Sequence, residues 1–497
     1  MTLRPDEPRA SRLPLIVVIL APAVAFAPIL FNSFTTWDDP HTITENARLT
    51  LSNLGYYWHP KHNVAGLYVP MTYTIWIALA ATSRAIHGAL VAWPFHAASL
   101  AFHLLAVACV YLILRRLIGS PRGWPECVGA LVFALHPMQV EAVAWTSGLK
   151  DVGAAALALV ALHQHVRGGR LSRAVAPLAF ACGMLFKPSA GSAIAIAIVI
   201  DVLILKRRTA RDGLALLPWI VIAVPLLAIA RHAQETQGIP TIQVPQRLLV
   251  ASDAIAFYVF KLVAPLNLAL DYGRKPDVVL GAGGAAHVTW IVPVSVAIVL
   301  LIARSRWLTA AALVFVAGLS LNLGLQPFQF QFYSTVADHY AYLAMLGLAM
   351  AAAWLASRKP AITTYTICGV ILAACAVLVV LQTRVWRNSI ALFQRAVDVN
   401  PDSAGAHNNL GSALGAAGDL DQAQEHLLEA IRLAPYDPLA HRSMALLRLK
   451  KDDLEGAIRY LAESIRLNEL AGQDVSGDRR ELARLLSLRT QAKPPQP

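Results

Sequence analysis

Residues 93–117 read WPFHAASLAFHLLAVACVYLILRRL. No charged residue interrupts the run until Arg115 and Arg116 close it. About 20 apolar residues in a helix cover the roughly 30 Å hydrocarbon layer of a bilayer, so this stretch is expected to cross a membrane. The same pattern recurs at 13–31, 124–137, 148–166, 172–187, 189–205, 213–230, 286–303, 308–324, 341–357 and 361–381, which makes eleven expected spans. Composition agrees. Of 497 residues, 57% are hydrophobic and only 14% charged, whereas soluble domains carry about a quarter charged residues. An ordinary soluble enzyme is excluded, and the fold class expected is all-α: a polytopic membrane helical bundle followed by a more polar helical tail.

Arginines and lysines cluster at alternate ends of these runs: Arg4, Arg9 and Arg12; Arg115 and Arg116; Arg167, Arg170 and Arg173; Lys206, Arg207, Arg208 and Arg211; Arg304 and Arg306; Arg358 and Lys359. Basic residues are retained on the cytoplasmic side, which puts the N-terminus inside and the tail outside. Counting the apolar stretch 250–265 as a further span would move Arg304 and Arg306 outside, so it is expected to be re-entrant or interfacial. The first run could also serve as a cleaved signal peptide, but in a polytopic chain an uncleaved span is expected. The loops 32–92 and 231–285 then face outward, as do the turns around 137–148 and 325–340.

The net charge of +12 raises the question of a nucleic-acid partner. From Arg384 to Pro497 there are 15 basic and 15 acidic residues, so the excess belongs to the hydrophobic part and no nucleic-acid domain is expected. Cys109, Cys127, Cys182, Cys368 and Cys375 lie in or beside apolar runs without CxxC spacing, which argues against a disulfide framework or a zinc site.

The tail repeats at 34 residues: Ala406 with Ala440, Asp419 with Asp453, Ala423 with Ala457, Ile431 with Ile465, Leu433 with Leu467. That is the tetratricopeptide period, in which small and large residues alternate so that two antiparallel helices pack closely. Two full copies, 402–435 and 436–469, follow a half copy with Phe393, Ala396 and Pro401. Such arrays need about three neighbours to close a core, so a cap at 480–489 and the half copy are expected to complete it. The chain divides into a membrane domain 1–383, a repeat domain 384–490 and a disordered end 491–497. A passive spacer is the alternative role for the repeats.

In so apolar a chain the few ionisable residues on the outward segments are functional candidates. Trp37, Asp38, Asp39 and Pro40 follow the first span; one aspartate could simply cap the helix that Pro40 starts. His136, Glu141 and Trp145 precede Lys150 and Asp151, where an ion pair between Glu141 and Lys150 could tie two spans together. Lys187 precedes Pro188, and Asp338, His339 and Tyr340 open the tenth span. Lys187, His339 and the exposed pair Arg274 and Lys275 are candidate phosphate ligands.

With these residues in order the chain resembles the bacterial relatives of the transmembrane and tetratricopeptide repeat-containing O-mannosyltransferases, in the C-type glycosyltransferase superfamily. The likeness is carried by Trp37-Asp38-Asp39-Pro40 with Asn46, Pro70-Met71-Thr72, Pro94-Phe95-His96 with His103, His136-Pro137, Val140-Glu141, Trp145, Lys150-Asp151, Lys187-Pro188, Asp201, Asp338, Tyr340, Tyr342 and Trp386. It implies an enzyme of the bacterial inner membrane that uses a polyprenyl-phosphate sugar on the non-cytoplasmic face. A first-loop aspartate would be the base, with Asp38 and Asp39 both matching. Trp37, His136, Glu141, Lys150 and Asp151 would contact substrate, and Lys187, Asp338, His339, Tyr340 and Arg274 the donor phosphate. A protein acceptor would be held by the repeats. Val69, Gly148-Leu149 and His339 depart from the pattern, the last replacing an expected arginine.

The chemistry is consistent with the residue types. A lipid phosphate is already a good leaving group, so one carboxylate suffices to take the acceptor's proton, and nearby cations stabilise the departing phosphate. Inversion at the anomeric carbon is the expected outcome. No cofactor is required; a divalent cation on Asp38, Asp39 and Glu141 is the alternative, without a recognisable ligand spacing behind it. A catalytically silent scaffold for envelope complexes is the reading from another class, and a transporter fits least because the polar residues gather at one face.

Overall fold

The computed structural model describes residues 12–64, 66–207, 209, 213–234 and 242–492. The expectations that fall on Arg4, Arg9, Arg208, Arg211 and residues 493–497 lie outside the described residues. The architecture is helical; an isolated bridge between Val64 and Leu67 is the nearest approach to a strand among the described residues. The chain forms two compact units, Met1–Leu268 with Arg274–Arg387, and Ala269–Gly273 with Asn388–Pro497.

Among the described residues of the first unit, five helices are long and apolar enough to cross a membrane: Leu13–Phe31, Trp93–Leu117, Pro188–Leu205, Ala286–Ala303 and Ile362–Val385. A sixth is reached if Trp124–Leu135 and Pro137–Ala144, bent by 52°, count as one. The bend has a local cause. Pro137 forces His136 out of the helical region to ψ 130°, and the His136 side chain accepts the Met138 N–H instead. The remaining expected spans are shorter or more polar helices. Leu217–Ala233, Arg306–Asn322 and Met345–Arg358 are apolar but short, Arg170–Phe186 contains Pro177, and Leu149–Arg167 opens on Lys150 and Asp151. The stretch around 250–265 belongs to a helix, Val244–Val263, that carries Arg247, Asp253 and Lys261.

Burial separates inner from outer helices. Leu149–Arg167 is buried along most of its length between Trp93–Leu117 and Arg170–Phe186. Ala286–Ala303 and Ile362–Val385 are 6% and 11% buried over their apolar windows, leaving Leu301, Ile302, Val370 and Ile371 uncovered. Apolar faces that size are stable next to lipid tails and costly in water, so these helices are compatible with membrane insertion. Where helices do touch, small residues allow it. A Cβ on Gly318 would sit 2.8 Å from the Ala344 Cβ, and one on Gly347 would meet the Ala311 carbonyl and, at 2.8 Å, the Phe315 nitrogen.

The second unit is a stack of helices, Ser389–Val399, Ala404–Ala417, Leu420–Leu433, Pro438–Lys450, Leu454–Leu470 and Ser476–Ala492. Asn388, Ser403, Asp419, Asp437 and Asp453 each accept a backbone N–H two or three residues on, so every helix from the first to the fifth starts on a side-chain cap. The caps repeat with the sequence: Ser403 with Asp437, Asp419 with Asp453. Gly411 leaves the space that Leu427 fills, and the last helix closes the stack by burying Leu485 against Leu461 and Ile465. Asp271 belongs to this unit. Its Oδ2 accepts from the Ser403 hydroxyl at 2.6 Å and the Asn400 amide at 3.2 Å.

Candidate active site

The first loop is pinned at its start. Asn32 donates to the Thr383 carbonyl at 3.2 Å and the Ser33 N–H to the Arg387 carbonyl at 2.9 Å, at the far end of the Ile362–Val385 helix. Five residues later the two aspartates part company. Asp39 is fully buried: its Oδ2 accepts the Thr35 N–H and hydroxyl at 2.8 and 3.2 Å, and its Oδ1 accepts the Ser147 hydroxyl and N–H at 2.7 and 3.2 Å. Burial pushes its carboxyl above the usual range, against the opposing effect of the donors from Ser147 and Thr35. Asp38 keeps 36% of its side chain exposed and accepts from Lys150 Nζ at 3.2 Å. Neither carboxylate caps the helical turn at Pro40, which has no side-chain cap. Asp39 instead staples the loop to residues 146–148.

The segment 136–151 supplies the middle of the site. Glu141 does not pair with Lys150. Its Oε1 accepts from His339 Nδ1 at 2.8 Å and its Oε2 from the Asp338 N–H at 2.9 Å, so it ties residues 140–144 to the turn at Asp338–Ala341. Lys150 is drawn away to Asp38, with its ammonium 4.3 Å from the centre of the Trp145 ring. Trp145 lies in turn 5.7 Å from the His339 ring and 6.1 Å from the buried Trp386 ring.

Lys187 takes an extended conformation before Pro188, which ends its helix and turns the side chain inward. Its Nζ meets Asp151 Oδ1 at 2.6 Å and lies 5.5 Å from the Tyr340 ring. His339 and Tyr340 stack edge to face at 4.3 Å. Asp38, Glu141, Lys150, Asp151, Lys187, His339 and Tyr340 thus form one linked constellation from segments about 300 residues apart in the chain.

Other expected residues lie elsewhere. Arg274 grips Asp253 through Nε at 3.0 Å and through a second short contact, so it holds a buried carboxylate. Trp37 packs edge-on to Tyr333 at 5.2 Å, and His136 Nε2 faces the Leu262 carbonyl at 3.3 Å. Asp201 pairs with His165 at 2.7 Å and Arg207 at 3.3 Å. Ser147, Thr35 and Asp253 are not among the expected residues; the hydroxyls of Ser147 and Thr35 carry no distinguishing signal in sequence. Asp39 and Glu141 each accept from protein donors, and among the described residues no group of three or more His, Cys, Asp or Glu is placed to hold a metal.

The tetratricopeptide repeat profile matches residues 378–438 and 411–474. The C-terminal part is a tetratricopeptide repeat module. The chain is similar to the TPR repeat-containing thioredoxin TTL4 of Arabidopsis thaliana, 34% identical over 79 residues, or 16% of this chain. The chain is also similar to the Protein O-mannosyl-transferase F38B6.6 of Caenorhabditis elegans, 22% identical over 328 residues, or 62% of this chain. The chain spans 12% and 45% of those two relatives' own lengths.

Proposed function

We propose that this protein is a membrane glycosyltransferase that moves a sugar from a polyprenyl-phosphate donor to an acceptor hydroxyl, with inversion. The observation that carries the proposal is the Asp38 site: a half-open carboxylate held by Lys150, beside Lys187 and His339, in a chain distantly similar to an O-mannosyl-transferase. Asp38 is the base. Asp39 has both oxygens committed and no exposed surface, so an acceptor hydroxyl does not reach it.

In the reaction Asp38 takes the proton of the acceptor hydroxyl as its oxygen bonds to the anomeric carbon, and the bond from that carbon to the phosphate oxygen breaks. The electron pair leaves with the polyprenyl phosphate. Lys187 and Lys150 each spend one N–H on a carboxylate, and an ammonium has three, so both retain donors for the phosphate. The repeats present the acceptor, for which a protein serine or threonine is the natural class. The proposal includes the eleven-span topology, a cytoplasmic N-terminus, repeats on the far side and a bacterial inner membrane. Sugar transfer from polyprenyl-phosphate mannose to a serine-rich peptide by purified protein is the test. Activity that survives Asp38→Asn would sink it.

A catalytically silent scaffold is the second reading. It is favoured by the pairing of Lys150 and Lys187 with carboxylates, which balances both cations without any ligand. It requires that partners recruited through the repeats be retained in a variant lacking Asp38 and that no transfer be measurable in the wild type.

A further inference from the structure

Three oxygen contacts run in series between the first loop and residues 146–148. Thr42 Oγ1 lies 2.9 Å from the Asp38 carbonyl oxygen, Ser147 Oγ 2.9 Å from Thr42 Oγ1, and Asp39 Oδ1 2.7 Å from Ser147 Oγ. Each contact needs one proton, because two oxygens that close without one repel. If Asp39 is ionised, the row begins and ends on groups that only accept, a carbonyl and a carboxylate. The Ser147 and Thr42 hydroxyls then bring two protons to three contacts, and one pair of oxygens is left lone pair to lone pair. Thr42 is 5% exposed and Ser147 and Asp39 are fully buried, so solvent does not make up the shortfall.

A proton on Asp39 Oδ1 supplies the third. Asp39 then donates to Ser147, Ser147 to Thr42 and Thr42 to the Asp38 carbonyl, and every contact is made. The other contacts of Asp39 agree with this. Oδ2, the carbonyl oxygen of such an acid, accepts the Thr35 N–H at 2.8 Å and hydroxyl at 3.2 Å, while the Ser147 N–H comes only within 3.2 Å of Oδ1. Among the described residues no cation pairs with Asp39, and the charge acting on it is that of Asp38. Two neighbouring carboxyls do not readily both ionise. Lys150 steadies the charge on the open one, and the buried one keeps the proton. We infer that Asp39 is a neutral carboxylic acid that positions Asp38 through Ser147 and Thr42, the last proton of the row falling on the Asp38 backbone carbonyl. Asp39 is a positioning residue and Asp38 keeps the charge that a base needs. The role of Asp38 rests on the transferase assignment; the proton on Asp39 stands or falls without it.

The test is an infrared difference spectrum of the full-length protein in nanodiscs at neutral pH. Wild type minus Asp39→Asn is expected to show the carbonyl stretch of a protonated carboxyl, which isotope labelling of the aspartate carboxyls moves to lower wavenumber. Ser147→Ala takes away the acceptor of that proton and should move the band to higher wavenumber. A wild type without the band, or a band that Asp39→Asn leaves in place, overturns the inference. Sugar transfer gives a second readout. Asn can accept from Thr35 and donate an amide N–H to Ser147 as the neutral acid does, so Asp39→Asn is expected to keep at least about tenfold more turnover than Asp39→Ala. Equal losses in the two variants overturn the positioning role. Wild type that transfers no sugar overturns the transferase assignment instead, and the infrared band then decides the proton on Asp39 by itself.

Discussion

Lys150 Nζ lies 3.2 Å from Asp38 Oδ2, across 112 residues of sequence and beside the Trp145 ring. The ammonium holds the carboxylate in place without covering it. If Asp38 is the base, Asp38→Asn lowers transfer about 10²–10⁴-fold while leaving the melting temperature near that of the wild type. Lys150→Met should also reduce turnover, because the carboxylate loses its tether. Radiolabelled transfer and a melting curve, read side by side, decide between a chemical and a structural role.

The Lys187 and Asp151 pair is almost fully buried, with side-chain exposures of 12% and 6%. Lys187→Met strands the Asp151 charge and should cost about 3–5 kcal/mol. Adding Asp151→Asn to it should recover a large part of that loss. A double variant no more stable than the single one, measured by urea titration in detergent, would mean the pair is not coupled.

Asp39 titrates in the opposite sense from an ion-paired carboxylate. Its pKa in the folded chain is raised above the ordinary 3.8, so the folded state holds the proton more tightly than the unfolded state. Its contribution to stability is complete below pH 3.8 and is lost as pH rises through the raised value. The melting temperature of the wild type relative to Asp39→Asn should therefore fall with rising pH above about 4. A difference that grows with pH would show that the carboxylate, not the acid, is the form the fold prefers.

Helix contacts of the first unit give a paired test. Gly347→Ala drives a methyl into the Ala311 carbonyl and the Phe315 backbone and should cost about 1–3 kcal/mol. Gly369→Ala, on a helix where nothing lies within 4 Å, should be neutral or stabilise by up to about 1 kcal/mol. Thermal melts of the two variants in one detergent make the comparison.

In the repeat unit, Asp271→Ala leaves the Ser403 hydroxyl and the Asn400 amide without their acceptor. A loss of about 1–3 kcal/mol is expected, seen as a lower melting temperature of the helical signal from 388–492.

How much of this was legible beforehand differs by level. The run 93–117 and the 34-residue period speak through many residues at once, so helix and repeat could be read directly. The candidate residues Asp38, Glu141, Lys150, Asp151 and Lys187 were visible because charge is scarce in this chain. Their pairing was not. Lys150 is nine residues from Glu141 and a sequence argument joins them, but the bend at Pro137 turns Glu141 toward His339 and leaves Lys150 to Asp38. Adjacent Asp38 and Asp39 are equivalent on paper; burial alone tells them apart. Ser147, which accounts for half of the Asp39 contacts, is one hydroxyl among many.

The short segment Ala269–Gly273 folds with the repeats although its flanks do not. The backbone therefore passes into the repeat unit twice, once for five residues and once for good at Asn388. A protein cut at Arg387 would lose the helices but keep the strip that seats Asp271, and the excised helices would present Ser403 and Asn400 bare. The repeats are thus sewn into the chain with a return stitch, and they cannot be swapped for another module, by an engineer or by gene fusion, without also rewriting a loop more than a hundred residues upstream.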